Sequence, residues 1–147
     1  SYLNTGYGIN VGQRNALDFA LSFPGYLQTM FLYEFLSDRS MHASYSHQTG
    51  PLFYKKAGKA IFAPQLKFHQ SFAIGSLSNP EFYDFVDFKT MEKGYLESGI
   101  ELNNILKQKS GLQYRGWGIG AFYRYGPYAN PTFKENLTIT LSITASF

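Results

Sequence analysis

The stretch LTITLSITASF, residues 137–147, decides the fold. Leu137, Ile139, Leu141, Ile143, Ala145 and Phe147 fall on one face, and Thr138, Thr140, Ser142, Thr144 and Ser146 on the other. Successive side chains of a β-strand point to opposite sides, so this strict period of two is a strand with one apolar and one polar surface. Its length matches the ~9–11 residues that a tilted strand needs to cross a bilayer. Termini are ordinarily solvated and loosely held. An ending this apolar implies that the last strand is needed right up to its carboxylate.

Working outward, the same pattern recurs. Leu3, Thr5, Tyr7, Ile9 and Val11 alternate with Asn4, Gly6, Gly8 and Asn10, and Leu17, Phe19, Leu21 and Phe23 alternate with Asp18, Ala20 and Ser22. Leu27, Thr29, Phe31, Tyr33 and Phe35 share a face. After LSDR, read as a turn, Ala43 and Tyr45 oppose His42, Ser44 and Ser46. Leu66, Phe68, Phe72 and Ile74 oppose Lys67, His69, Ser71 and Gly75, and Leu96, Ile100, Leu102 and Leu106 oppose Glu97, Gly99, Glu101 and Asn103. In YRGWGIGAFYRYG, residues 114–126, Trp117, Ile119, Ala121 and Tyr123 oppose Gly116, Gly118, Gly120 and Phe122. The pattern predicts eight strands.

Composition narrows the class. Aromatics make up 18% of the 147 residues and Gly contributes 14 more, a mixture that favours strands and aromatic girdles over helices. The 13 basic and 10 acidic residues are scattered, which leaves no basic face for nucleic acid. Without Cys there is no disulfide framework or thiolate metal site. No apolar run of about 18–20 residues forms a spanning helix. Residue 1 is Ser, and no charged segment with an apolar run follows it, so either a leader has been removed or the chain begins partway through a larger protein.

A soluble sandwich also alternates, but its polar face meets bulk water and is rich in Lys, Glu and Arg. Here that face is mostly Ser, Thr, Asn and Gly, which suits a barrel lumen where side chains converge. The expected fold is therefore an all-β, antiparallel transmembrane β-barrel, with about eight strands in this chain and room for more in a larger barrel. The alternating last strand that closes on Phe147 is the pattern by which bacterial outer-membrane barrels are recognised for insertion. With the C-terminus in the periplasm, residues 76–94 become a long outer loop and KQKSG, residues 107–111, a short periplasmic turn, as in such barrels. Residues 49–65 would then be a long periplasmic segment, either at the membrane interface, with Lys55, Lys56 and Lys59 at phosphates among Leu52, Phe53, Ile61 and Phe62, or a mobile loop with some exposed apolar residues.

Three segments carry a family resemblance: LQTMFLYEFLSDRS, SLSNPEFYDFVDFKTMEKGYLESGIELNNIL and YRGWGIGAFYRYGPYANPTFKENLTITLSITASF. They resemble the C-terminal part of a Bacteroidota outer-membrane family in which a carboxypeptidase-regulatory-like β-sandwich precedes a membrane barrel. The resemblance covers most of residues 27–147. It implies that this chain is the barrel-closing segment of a longer polypeptide. The family's barrel is in turn distantly similar to the insertase superfamily of BamA and TamA. Arg115-Gly116-Trp117 matches the letters of that superfamily's lumenal Arg-Gly-aromatic motif, but sits inside the penultimate strand instead of on a loop. The structural reading places Trp117, with Tyr123 and Tyr125, in an aromatic belt facing lipid, while Gly116, Gly118 and Gly120 leave room inside.

Candidate chemistry is sparse. A deacylase would need a Ser activated by an oriented His, and the raw material is His42, Ser44 and Ser46, His69 and Ser71, and Glu97 and Glu101. His42 and His47 are five apart, on opposite faces of a strand, and Glu81, Asp84 and Asp87 lack the register of a dedicated calcium loop. No catalytic, cofactor or metal residues are assigned. Glu97, Glu101 and Arg124 point inward and predict a Glu–Arg bridge across adjacent strands, with Glu34 also inward and Asp38 and Arg39 at a hairpin tip. The expectation is a non-enzymatic component of an envelope assembly, secretion or transport complex in the bacterial outer membrane. Its partners would be outer-membrane lipid, the insertion machinery during biogenesis, and other envelope proteins. The alternatives are a small barrel enzyme acting on lipid or peptide, and a structural eight-stranded anchor.

Overall fold

The computed structural model describes residues 2–9, 12–14, 19–21, 27–31, 34–58, 60–78, 81, 88–110 and 113–146. The chain is all-β. Its strands are β1 (Tyr2–Ile9), β2 (Gly12–Arg14), β3 (Phe19–Leu21), β4 (Leu27–Phe31), β5 (Leu36–Pro51), β6 (Lys55–Ala57), β7 (Ala60–Phe62), β8 (Gln65–Ser76), β9 (Tyr95–Ser110), β10 (Gln113–Tyr125) and β11 (Leu137–Ser146). One helical turn, α1 (Phe133–Asn136), precedes the last strand.

Six strands form a wall in the order β1-β5-β8-β9-β10-β11, each neighbouring pair antiparallel. Strand β3 adds to the free side of β11 over three residues, in parallel. Among the described residues β1 pairs only with β5, so the sheet does not close into a barrel. Counting β3 and β7 with these six gives the expected eight strands, so the correction concerns closure alone.

Several boundaries move for physical reasons. LSDR does not turn: Leu36–Arg39 opens the 16-residue β5, whose Ser, His and Gln residues hide its alternation because both of its faces are polar toward the lower end. Residues 107–110 continue β9 instead of forming a turn. Residues 49–65 contain a small hairpin, β6–β7, joined by a two-residue connection that starts at Gly58 with φ +61°, a left-handed conformation that suits glycine. Strand β7 then continues the wall against Ala60↔Gln108 and Ile61↔Lys107 of β9.

The handover from β8 to β7 falls at a bulge in β9. Between the pairs Trp117↔Leu106 and Ile119↔Leu102, two steps along β10 oppose four along β9. Asn104 takes the strain with φ +55°, and Asn is among the few side chains that tolerate this region. Its amide donates to Gln65 Oε1 at 2.6 Å, which fixes the kink to the start of β8.

The segment predicted as a third wall strand, from residue 27, is not in the wall. Strand β4 pairs in parallel with β2 in a separate two-stranded sheet and lies across β9, β10 and β11. Leu27, Gln28, Thr29 and Met30 are all buried, as an element covered on both sides must be. Leu27 and Met30 join Phe35, Ala73, Met91 and Tyr95 in a small apolar core, with Tyr128 packed against it. Phe35 meets Tyr95 and Tyr128 edge-on, at centroid distances of 5.6 and 5.0 Å.

Candidate functional site

On the face covered by β4, Ala73, Tyr95 and Phe122 are buried together with many polar residues: Ser37, His42, Ser71, Glu97, Glu101, Asn103, Arg124, Thr138, Thr140 and Ser142. On the other face Tyr45, Phe68, Ile100, Trp117 and Ile143 are 57%, 43%, 51%, 46% and 53% exposed. Met41, Ile119 and Leu141 are exposed beside them.

Strand register arranges the inner face in rows. Ser44, Ser71, Glu97 and Arg124 form one row across β5, β8, β9 and β10. Below it run Ser46, His69, Gly99, Phe122 and Thr138, and then Gln48, Lys67, Glu101, Gly120 and Thr140. Glycines make these rows possible. A Cβ on Gly99 would strike the Phe122 ring, and one on Gly120 would lie 2.7 Å from Thr140 Oγ1 and 2.8 Å from Glu101 Cγ. A Cβ on Gly118 would collide with Ser142 and Asn103. The room expected inside Gly118 and Gly120 is used by polar neighbours.

In the upper row Glu97 and Arg124 sit opposite each other, as predicted, but do not pair directly. Arg124 donates from Nη1 to both carboxylate oxygens of Glu34, at 2.8 and 2.9 Å, and lies over the Tyr95 ring. Lys89 Nζ approaches the same carboxylate at 3.6 Å. Glu97 instead holds β4: it accepts from Gln28 N–H at 3.0 Å, Thr29 N–H at 2.6 Å and the Thr29 hydroxyl at 2.5 Å. With the Thr29 proton given to Glu97, the Tyr95 hydroxyl donates to Thr29 at 2.7 Å and accepts from Arg124 at 3.5 Å. The two charges are thus joined through two hydroxyls, each donating once and accepting once.

The next carboxylate down, Glu101, bonds His69 Nε2 at 2.7 Å, with Lys67 Nζ at 3.9 Å. The His69 ring lies 5.2 Å from that of Phe122. Ser142 donates to Asn103 Oδ1 at 2.5 Å. Toward β11, Arg124 Nε and Nη2 and the hydroxyls of Thr138 and Thr140 are buried with no hydrogen-bond partner among the described residues. A polar inner face is therefore held by charge pairs in its centre and carries unspent donors beside β11.

Of the deacylase candidates, Ser46 lies opposite His69, whose Nε2 bonds Glu101, whereas His42, Ser44 and Glu97 do not meet. His42 lies in the row of Ala73 and Tyr95, whereas Glu97 lies in the row of Ser44, two strands and so about 10 Å away. Among the described residues no group of three or more metal-ligating side chains is assembled. Glu81 is exposed, and Asp84 and Asp87 lie outside the described residues.

Trp117, Tyr123 and Tyr125 all occupy β10 on its outer side, but not at one height. Trp117 and Tyr125 are eight residues apart, about 26 Å along the strand. Tyr123 packs on Phe133 at 5.2 Å, and the Tyr125 hydroxyl takes a hydrogen bond from Gln70 at 2.8 Å and one from Ser98 at 3.1 Å. On β11, Leu137 and Ile139 are half-buried, and Leu141 and Ile143 are exposed. The backbone of Ala145 pairs with Arg115, and Phe147 lies outside the described residues. Arg115 and Trp117 face outward on β10, with Gly116 buried between them.

Comparison of the chain with protein-family models, with curated protein sequences and with solved structures finds no match.

Proposed function

We propose that the chain is wall and plug of an outer-membrane β-barrel, and a non-enzymatic component of an envelope assembly, secretion or transport complex. The observation that carries this reading is the outer face. Eight large apolar side chains, Met41, Tyr45, Phe68, Ile100, Trp117, Ile119, Leu141 and Ile143, are each 40–57% exposed over five adjacent strands. At roughly 100 Å² apiece they exceed the ~300–600 Å² of the largest apolar patch on a typical soluble monomer. Burying Glu97, Glu101 and Arg124 while leaving these in water would reverse the usual sign of the hydrophobic effect. In lipid both choices are favourable. The C-terminal alternation on Leu137, Ile139, Leu141, Ile143, Ala145 and Phe147 supports entry through the insertion machinery, and β4 on the inner face supports a closed or gated lumen over an open pore.

Trp117 is the only tryptophan, so its fluorescence reports one place on the wall. In liposomes it is expected to be quenched by brominated acyl chains and protected from aqueous iodide. Quenching by iodide alone would refute a lipid-facing wall. Membership of a complex predicts that mild detergent extracts the protein at a mass well above its own, with other envelope proteins cross-linked to it; extraction always as a lone chain refutes that part.

A further inference from the structure

We propose that the outer face carries a binding groove for a phosphorylated glycolipid, at the end of the wall where β5 begins and β8 ends. Arg39 holds the phosphate, Glu92 accepts from the sugar, and Met41 and Ile74 carry the first part of an acyl chain. The inference rests on the membrane reading above and narrows it from a lipid-facing surface to one site with one class of ligand.

A bulge puts the cation there. In a regular strand Ser37 and Ser40, three residues apart, point to opposite faces. Here Gly6 pairs with Ser40 and Gly8 with Ser37, so two steps along β1 oppose three along β5. Both serines consequently lie on the inner side: Ser40 pairs with Gly75, and a Cβ on Gly75 would come 2.9 Å from that of Ser37. The extra residue turns Arg39 outward, opposite Ser76 and beside the outward pair Met41↔Ile74. Re-aiming a side chain is a common use of a bulge.

Arg39, Met41, Ile74, Ser76 and Glu92 border an open groove of about 480 Å³, a size usual for small-molecule sites. Glu92 comes from the segment before β9, which is fixed to the strand end in two places. Gly75 N–H donates to Met91 C=O at 3.1 Å, and Lys93 N–H donates to the Tyr128 hydroxyl at 3.1 Å. The Met91 side chain is buried in the small apolar core. Among the described residues neither Arg39 nor Glu92 forms an ion pair, with each other or with another side chain. The neighbouring Asp38 accepts from Ser78 N–H at 3.0 Å.

The lining selects the ligand. An unpaired guanidinium at the rim of a membrane wall matches phosphate through its planar fork of donors. A carboxylate on the same groove repels a bare anion but accepts from hydroxyl and amide donors, which an acylated amino sugar supplies in number. Below them the apolar floor continues down the wall through Ala43↔Phe72 to Tyr45, a path that an acyl chain follows and a soluble sugar phosphate does not need. The depth agrees. Ser76 is the last residue of β8 and Arg39 the fourth of β5, so the charges sit where the strands leave the hydrocarbon.

The test is a titration of the full chain in mild detergent with a phosphorylated, acylated glucosamine disaccharide, read by native mass spectrometry. The parallel arms are the same lipid without phosphate, phosphatidylethanolamine, phosphatidylglycerol and inorganic phosphate. One saturable glycolipid is expected per chain, bound roughly tenfold or more weakly by Arg39→Ala and several-fold more weakly by Glu92→Gln. Ser76→Phe fills the groove with both charges intact and should abolish binding, which decides the matter if Arg39→Ala does not fold. Arg115→Ala removes an exposed cation at the opposite end of the wall and should change nothing. An equal loss there would reduce the effect to diffuse charge attraction and overturn the site. Equal affinity for either phospholipid overturns the role of the sugar, and equal affinity for inorganic phosphate overturns that of the apolar floor. Absence of saturable binding while Trp117 is quenched by brominated chains refutes the groove alone. Quenching of Trp117 by iodide alone removes the membrane reading, a separate failure.

Discussion

Replacement of Ile119 by Arg tests the wall at its most informative point. Ile119 is the middle residue of β10, six positions from Gln113 and six from Tyr125, and its side chain is 44% exposed on the outer face. Six residues at ~3.3 Å, tilted by about 40°, place it ~15 Å from either end of the strand, which is half the thickness of a hydrocarbon core. An Arg at that depth costs about 2–4 kcal/mol, or roughly 30- to 900-fold in the folded-to-unfolded ratio. The same substitution at an exposed site of a soluble sheet stays within about 0.5 kcal/mol. The measurement is reversible urea unfolding from thin phosphatidylcholine vesicles, with Tyr125→Arg as a rim control expected to lose only about 0–1 kcal/mol. Equal stability of Ile119→Arg and the parent, or equal losses at the two positions, would refute the depth assigned to β10.

Three further outcomes follow from the inner face. Arg124→Ala strands the Glu34 carboxylate and should cost about 3–5 kcal/mol, whereas the double change Arg124→Met with Glu34→Gln should cost clearly less; additive losses would mean that the pair is not coupled. Glu97→Ala removes the acceptor of three β4 donors, at about 1–3 kcal/mol for each buried group left unpaired. Limited proteolysis should then cut within residues 27–31 while the wall survives, and unchanged protection there would show that β4 is held by packing alone. Gly99→Ala drives a methyl into the Phe122 ring and should cost about 1–3 kcal/mol, with most of it recovered by adding Phe122→Leu; a neutral Gly99→Ala in the same unfolding assay would contradict the packing of that row.

How much of this was legible in the sequence depends on the range of the interaction. Strands β8, β9, β10 and β11 were readable to within a few residues because period-two alternation is local. The inward direction of Glu97, Glu101 and Arg124 follows from the same parity. Strand β5 was half missed because its Ser, His and Gln residues blur the contrast between faces, and β4 was misplaced because Leu27, Thr29 and Phe31 alternate as a wall strand would.

The sequence by itself determined an all-β chain whose strands carry an apolar and a polar face, and which side chains share each face. Only the tertiary structure decided who meets whom. Glu34 reaches Arg124 across 90 residues and Thr29 reaches Glu97 across 68, so a cross-strand Glu97–Arg124 bridge gives way to a plug held by one charge and a separate pair made by the other. Such contacts depend on where a non-wall segment folds back, and no periodicity along the strand encodes that. The parallel pairing of β3 with β11 likewise belongs to the assembled sheet, because it joins residues more than a hundred positions apart.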